Sequence, residues 1–174
     1  MELYYIAIAF VIDLIVGDPC FLPHPIVLIG KFISFMEKQL RKVACSPKVL
    51  KRAGVVLLIT TVIFSASIVL VPLFILKQIG EPFYIAAYIY FSYAILSTKC
   101  LKDEAVKVKK ALEKSLEDGR RQVGYIVGRD TTELSEDEVI KATVETVAEN
   151  TTDGIIAPLL FLFIGGPALA MAYK

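Results

Sequence analysis

The sequence predicts an all-α integral membrane protein that crosses the bilayer several times and carries one cytoplasmic helical loop. Of its 174 residues, 56% are hydrophobic, whereas a soluble domain is typically about 45–50% apolar. The apolar residues form blocks, and residues 102–154 have the composition of a soluble protein. The longest block, residues 53–76, contains no charged side chain. This pattern is typical of polytopic membrane proteins.

The first apolar block covers residues 3–16 and contains one charged residue, Asp13. No basic region precedes it and no small-residue cleavage site follows it, so we expect a retained membrane segment rather than a signal peptide. It is short for a span of about 20 residues. A tilted crossing and a partly interfacial position therefore both stay open. Pro19 and Pro23 separate this block from the next helix.

The next three segments are predicted to be helical. Residues 26–40 have apolar side chains near helical spacing and a charged opposite face, which predicts an amphipathic helix along the membrane surface. Residues 53–76 are long enough to cross the hydrocarbon core. Residues 83–96 follow after the short connection 77–82, and the two apolar segments are expected to form a helical hairpin.

The soluble part begins with a charged helix over residues 101–118, which we expect Gly119 to end. Residues 120–127 form a short second element. Ser135 and Glu138 have the spacing of a capping box and predict a helix through about Glu149.

The last apolar block, residues 155–173, is interrupted by Pro158 and by the GGP run at 165–167. The predicted organisation has three parts. These are membrane helices over 1–101 with a cytoplasmic loop near 17–52, a cytoplasmic helical segment over 102–154, and a final membrane segment over 155–174.

The charges of the loops predict the orientation. Residues 31–52 contain seven Lys and Arg residues, whereas residues 77–82 contain only Lys77. Cytoplasmic loops carry the excess of positive charge. We therefore place residues 31–52 in the cytoplasm and 77–82 outside, and alternation returns residues 99–154 to the cytoplasm.

Several classes of function are disfavoured. The net charge is +1, and no basic patch is interleaved with aromatic residues, so we expect no nucleic-acid partner. The three cysteines, Cys20, Cys45 and Cys100, are far apart and His24 is the single histidine, which suggests neither a disulfide framework nor a zinc site. There is no P-loop or GxGxxG motif.

Acidic residues at helical spacing indicate a metal site. Glu145 and Glu149 share a face of the predicted helix, and Asp153 continues the spacing, although Gly154 suggests that the helix has ended there. Mg²⁺ is often bound by one or two carboxylates together with phosphate oxygens. The alternative is a surface salt bridge between Lys141 and Glu145.

Two further groups of polar residues are candidates for function. Arg129 follows a glycine and can bind a phosphate or carboxylate through two hydrogen bonds, although a local pair with Asp130 is an equally good interpretation. Asp13 lies in an apolar segment, where a charge is costly unless it faces water or a partner. Asp18 and His24 follow it at the cytoplasmic face. Singly each suits a structural role, and together with residues 129–153 they suggest a joint site.

Three separated blocks resemble the membrane-bound adenosylcobinamide-phosphate synthase family of cobalamin biosynthesis. Residues 13–19 read DLIVGDP and residues 22–30 read LPHPIVLIG, which is similar to the N-terminal signature of that family. The central signature is similar to IVGRDT at 126–131 and VETVAENTTDG at 144–154, followed by APL at 157–159 and GGP at 165–167.

The resemblance implies an integral membrane enzyme with a cytoplasmic active face. It implies an ATP-dependent amide ligation that joins a carboxylate of adenosylcobyric acid to aminopropanol or its O-phosphate, with ATP and Mg²⁺ required. The expected partners are these corrinoid and aminopropanol-type substrates and membrane lipid. On this interpretation the metal ligands are Glu145, Glu149 and Asp153. The substrate-binding residues are Arg129, Asn150 and Asp13, and the catalytic residues are Asp130, His24 and Asp18.

The resemblance covers the whole chain but only about the N-terminal half or more of the family's length. We therefore expect the 174-residue chain to insert into membranes, to self-associate as a homo-oligomer and to have little ligase activity alone. The alternative function is a non-enzymatic membrane scaffold or sensor that retains the helices of the family. A transporter fragment fits poorly with the long soluble loop and its carboxylates.

Overall fold

The computed structural model describes residues 2–18, 24–43 and 46–174, and within these ranges it contains helices and no strand. The predicted break at Pro19 and Pro23 lies outside these ranges, as do Cys20 and Cys45. The helices are α1 (Glu2–Val16), α2 (Pro25–Val43), α3 (Pro47–Ile79), α4 (Glu81–Ile95), α5 (Thr98–Leu112), α6 (Leu116–Val123), α7 (Glu136–Thr151) and α8 (Ala157–Tyr173). A π-helical segment, Thr152–Ile156, connects α7 to α8.

The larger core is made by α1, α3, α4 and α8. Helix α4 lies between α1 and α3, and α8 packs against both α3 and α4. Fully buried side chains from three of these helices meet in this core, among them Val69, Ile95 and Leu162. Tyr5 and Tyr88 make an edge-to-face contact at 5.8 Å between ring centroids, which joins α1 to α4.

The smaller core belongs to α5, α6 and α7. Val108, Val123 and Val139, one from each helix, are buried together with Ala142. This unit coincides with the polar stretch of the sequence. It is joined to the larger core where α5 begins, because α5 also packs against α1.

The predicted helix end at Gly119 is wrong. Helix α5 ends at Leu112, and Gly119 is buried inside α6, which begins after the N-cap Ser115. A Cβ atom at position 119 would lie 2.3 Å from Leu112 Cδ2. The glycine is therefore required for close packing of α6 on the end of α5 rather than for a left-handed C-cap.

The capping box at the start of α7 is confirmed. Ser135 Oγ accepts from Glu138 N at 3.4 Å, and Ser135 N donates to Glu138 Oε2 at 2.8 Å. Ser135 N and Ser135 Oγ both donate to Glu138 Oε2, which lowers the pKa of the Glu138 carboxyl because these bonds favour its ionised form. Helix α7 ends at Thr151, close to the predicted end near Glu149, and the π-helical segment then carries the backbone through Gly154 into α8. Pro158 does not interrupt the last apolar block, because it lies in the first turn of α8.

Helix α8 reverses direction part-way along. Gly165 and Gly166 have non-helical backbone angles, and Gly166 has a φ of 65° in the left-handed region. Beyond this break the chain returns, because the rings of Phe161 and Tyr173 stack with 4.4 Å between centroids. The hydroxyl of Tyr173 also lies 3.4 Å from Asp153 Oδ1. The last apolar block is thus a helical hairpin whose two ends lie side by side.

Two continuous helical stretches are long and apolar enough to cross a membrane, Pro47–Ile79 and Glu136–Tyr173, with mean hydropathies of 2.6 and 2.2. The second stretch contains the reversal at Gly165, so the two arms of its apolar part lie side by side. Of these two stretches, only α3 runs without a reversal.

Helix α2 packs along α3. Phe32 stacks on Phe64 at 4.0 Å, and Arg41 lines a cleft with Leu50 and Leu57. Helix α2 therefore runs antiparallel beside α3, with its apolar face against that helix. Its position along a membrane surface stays a prediction.

Candidate functional site

The central signature forms a cavity of about 330 Å³ between the loop after α6 and the C-terminal half of α7. Its lining includes five residues that the sequence singled out, which are Arg129, Glu145, Glu149, Asn150 and Asp153. Helix α7 supplies the acidic face because positions 145 and 149 are one turn apart. The π-helical segment then carries Asp153 to the same cavity.

The charges in this cavity are partly paired. Arg129 Nη2 lies 3.6 Å from Glu145 Oε2, and Lys141 Nζ lies 3.8 Å from Glu145 Oε1. Both side chains of the Arg129 pair are more than half exposed, so the pair adds little stability. Arg129 therefore pairs with Glu145 across the cavity rather than with its neighbour Asp130. Both groups remain accessible to a ligand.

The donor set of the cavity suits Mg²⁺, which prefers carboxylate and amide oxygens. The three carboxylates Glu145, Glu149 and Asp153 line one wall. Among residues 2–18, 24–43 and 46–174, however, no group of three or more His, Cys, Asp or Glu side chains is gathered tightly enough to hold an ion. The cavity can thus contribute one or two ligands as it stands, with phosphate oxygens completing the shell. Asn150 Nδ2 donates to Thr146 O at 2.9 Å, which orients its amide.

Asp13 is fully buried where α1 ends and α5 begins. Its Oδ2 accepts a hydrogen bond from Thr98 N at 2.8 Å, whereas the residue before α5, Ser97, makes no side-chain cap. Asp13 therefore caps a neighbouring helix, and the positive end of that helix compensates its charge. Its Oδ1 is buried without a hydrogen-bond partner in the described part of the chain.

Asp18 and His24 form a pair beside this junction. His24 Nε2 lies 3.6 Å from Asp18 Oδ1, and His24 Nδ1 accepts from Ile26 N at 3.4 Å. Both side chains line a largely apolar cavity of about 1010 Å³ between α2, α3 and α4. The structure thus brings together two of the three predicted catalytic residues at the polar end of an apolar cavity.

The last two residues of the chain connect these two regions. Lys174 Nζ donates to Ile95 O and to Ser97 Oγ. Ser97 is followed by Thr98, whose backbone N–H donates to Asp13. Burial lowers the pKa of the Lys174 ammonium, while Asp18 and Asp13 act in the opposite direction. Tyr173, its neighbour, contacts Asp153. The Asp13–Asp18–His24 group and the Arg129–Asp153 cavity are therefore parts of one polar layer.

Asp130 is the predicted site residue that the structure keeps apart. Its Oδ1 accepts from Thr132 N at 3.0 Å and from Thr132 Oγ1 at 2.9 Å. These bonds close its own turn and lower the pKa of the carboxyl. The side chain is exposed and does not line the cavity of Arg129.

Sequence reasoning missed Ser97, Thr98, Tyr173 and Lys174 as members of the polar layer. Gly154 lies beside Ser97, but a Cβ atom there would be in ordinary contact with Ser97 Oγ at 3.5 Å, so this glycine gave no signal for them. The reversal of α8 could not be inferred from composition, and this reversal brings Lys174 back to the layer.

Comparison with known proteins identifies the family of the chain. The family model described as CobD/Cbib protein matches residues 6–174. The chain belongs to the CobD/Cbib family. The polar layer and the hairpin of α8 are therefore features of a CobD/Cbib protein, and the resemblance read from the three sequence blocks is confirmed.

Relatives in this family are named "Cobalamin biosynthesis protein CobD". That of Listeria monocytogenes serovar 1/2a is 44% identical over 175 residues, which is 100% of this chain and 55% of the relative. That of Clostridium acetobutylicum is 44% identical over 174 residues, 97% of this chain and 54% of the relative. The chain therefore spans about half the length of the curated CobD relatives it matches. No solved structure matches it.

Proposed function

We propose that this chain forms part of a membrane-bound enzyme of cobalamin biosynthesis that makes an amide bond at the expense of ATP. The bond joins a carboxylate of adenosylcobyric acid to the amine of aminopropanol or its O-phosphate. Helix α3 crosses the membrane, and α5, α6 and α7 lie on the cytoplasmic side with the active face. The names of the relatives support the pathway, and the reaction is our inference from the site.

The observation that carries the proposal is the cavity where Arg129 faces Glu145, Glu149 and Asp153. A carboxylate is a poor acyl donor, and phosphorylation by ATP turns one of its oxygens into a leaving phosphate. This activation needs a cation that binds phosphate and acidic residues that coordinate Mg²⁺. When bound, Mg²⁺ offsets charge on the transferred phosphoryl group.

The protein residues then divide between two tasks. Arg129 binds the phosphate or the substrate carboxylate, with Asn150 beside it, and one or two of the carboxylates Glu145, Glu149 and Asp153 would hold Mg²⁺ together with phosphate oxygens. His24, paired with Asp18, would take a proton from the ammonium of the substrate before the free amine attacks, once a ring nitrogen of His24 leaves its contact with Ile26 N or with Asp18. The amine nitrogen forms the new bond to the carbonyl carbon while the bond to the phosphate oxygen breaks. Asp130 would need its turn to open before it could take part.

Titration of Mg²⁺–ATP into the purified chain tests the metal assignment. Glu145→Gln and Glu149→Gln are expected to weaken binding at least about tenfold, because each removes a charged ligand. Glu136→Gln is the control, because it removes the same charge from the first turn of the same helix. It should change the free energy of Mg²⁺–ATP binding by under about 1 kcal/mol. Equal effects of all three substitutions would show that this face of α7 is merely solvated.

Turnover tests the reaction itself. The chain and a full-length relative are compared in nanodiscs for ATP- and Mg²⁺-dependent ligation of adenosylcobyric acid to the amine. Replacement by Ala of the histidine of the full-length relative that matches His24 should lower kcat and leave the KM for ATP nearly unchanged. Corrinoid binding without any turnover by the full-length protein would favour the scaffold function instead.

A further inference from the structure

Two groups of basic residues meet at one end of the α2–α3 pair. Phe32 and Phe64 stack at the middle of the pair, and Arg41 lines a cleft of about 220 Å³ with Leu50 and Leu57. The C-terminal end of α2 therefore lies beside the N-terminal end of α3. We call the cations at this end the basic tip; they are Lys38, Arg41, Lys42, Lys48, Lys51 and Arg52.

The basic tip has a large excess of positive charge. Residues 31–52 contain a single carboxylate, Glu37. It already pairs with Arg41, whose Nη2 lies 2.8 Å from Glu37 Oε1. The six cations of the tip are all exposed. Their mutual repulsion is therefore offset by one acidic group only.

The helix dipole of α3 adds to this imbalance. Its first turn contains no acidic residue, and its N-terminus carries Lys48, Lys51 and Arg52. Cations at a helix N-terminus are unfavourable because they face the positive end of the dipole. At the C-terminus of α2, by contrast, Arg41 and Lys42 are favourably placed. An anion at the tip would relieve the repulsion at α3.

The surface that adjoins the tip is apolar. Val55 and Leu58, within two turns of Arg52, are 52% and 64% exposed. A soluble anion would gain nothing from such a surface. An amphiphile with an anionic head and apolar chains matches both parts, since clusters of four to eight cations next to a membrane helix bind acidic lipids.

We infer that the basic tip is a binding site for anionic phospholipid head groups, with the lipid chains against the apolar surface of α3. This inference rests on the proposed insertion of α3 into the membrane and is independent of the ligase chemistry. Phosphatidylglycerol would bind there in preference to phosphatidylcholine, because the two differ in net head-group charge.

The test measures binding of each lipid to the delipidated chain in detergent by native mass spectrometry. Lys48→Gln/Lys51→Gln/Arg52→Gln should weaken phosphatidylglycerol binding about tenfold or more, because each cation near an anionic surface contributes favourably. The control is Lys109→Gln/Lys110→Gln/Lys114→Gln, which removes the same charge from the end of α5 and should leave lipid binding unchanged. Circular dichroism verifies that both variants fold.

The outcomes separate the tip from its alternatives. Equal loss in the tip and control variants, or equal binding of both lipids, would overturn the proposed site while leaving membrane insertion intact. Displacement of phosphatidylglycerol by inorganic phosphate alone would show a soluble-anion site and would also contradict the inference. Failure to associate with vesicles of either lipid would instead argue against insertion of α3.

Discussion

At the scale of single residues, Asp13 shows how a charge is held in an apolar helix. The side chain has no exposed surface, which would be costly without compensation. Its hydrogen bond to Thr98 N and the dipole of α5 supply that compensation. Gly17, four residues later, has a φ of 68° and ends α1 by donating its N–H to Asp13 O at 3.0 Å. One residue thus fixes the end of α1 and the start of α5.

Replacing Asp13 by Asn tests this role. Asp13→Asn keeps an acceptor for Thr98 N but removes the charge, and we expect a loss of about 1–2 kcal/mol, seen as a lower midpoint of thermal unfolding in detergent. The control is Asp103→Asn, which removes a half-exposed ion pair with Lys99 and should change stability by under about 1 kcal/mol. Equal stability of Asp13→Asn and the parent chain would contradict a structural role for the charge of Asp13.

At the scale of elements, the segment from α7 to α8 is the least regular part of the fold. A π-helical segment and a double-glycine reversal lie within one stretch of apolar sequence. On one side the reversal packs against α4, because the hydroxyl of Tyr88 would lie 3.2 Å from a Cβ atom at Gly166. The reversal returns Tyr173 to Asp153 and so completes the polar layer.

Gly119 gives a test of packing between α5 and α6. Gly119→Ala should destabilise the chain by about 1–3 kcal/mol, because the new methyl group overlaps the side chain of Leu112. Gly128→Ala is the matched control, since no atom lies within 4 Å of its Cβ position, and it should be neutral within about 0.5 kcal/mol. Chemical denaturation followed by circular dichroism measures both. Equal stability of the two variants would contradict the packing of Leu112 on Gly119.

At the scale of the whole molecule, an apolar bundle and a polar three-helix unit meet at one layer. The layer contains Asp13, His24, Ser97, Asp153 and Lys174, which come from five separate parts of the chain. Cys100 lies beside this layer. Burial is the main cause that raises the pKa of its thiol, and the negative charge of Asp18 raises it further. Substrates that approach from the side of the polar unit would meet all these groups at once.

The return of α8 predicts the membrane topology. In a cysteine-free background, cysteines at Ser115 and Lys174 should react with an impermeant reagent from the same, cytoplasmic, side, because α8 enters and returns. A cysteine at Gln78, in the last turn of α3, should react from the opposite side. Labelling of position 174 together with position 78 would show that α8 crosses the membrane. External labelling of position 115 would overturn the orientation altogether.

The sequence alone determined the all-helical class, the capping box of α7 and the shared face of Glu145 and Glu149. These follow from local physics: composition, helical period and hydrogen bonds within a few residues. The sequence also indicated Asp18 and His24 as neighbours, and the structure confirms their contact. Local rules failed at Gly119, because its packing against Leu112 of the preceding helix leaves no room for a side chain.

Only the tertiary structure decided which polar residues share a site. Asp13 was assigned to substrate, yet its partner is Thr98 N, 85 positions away along the chain. Asp130 seemed to belong with Arg129, yet its own turn uses the carboxylate. Lys174 had no local signal and reaches the layer only because two glycines reverse α8. Burial and distance between remote segments depend on how helices pack, and no period or spacing within one segment encodes them.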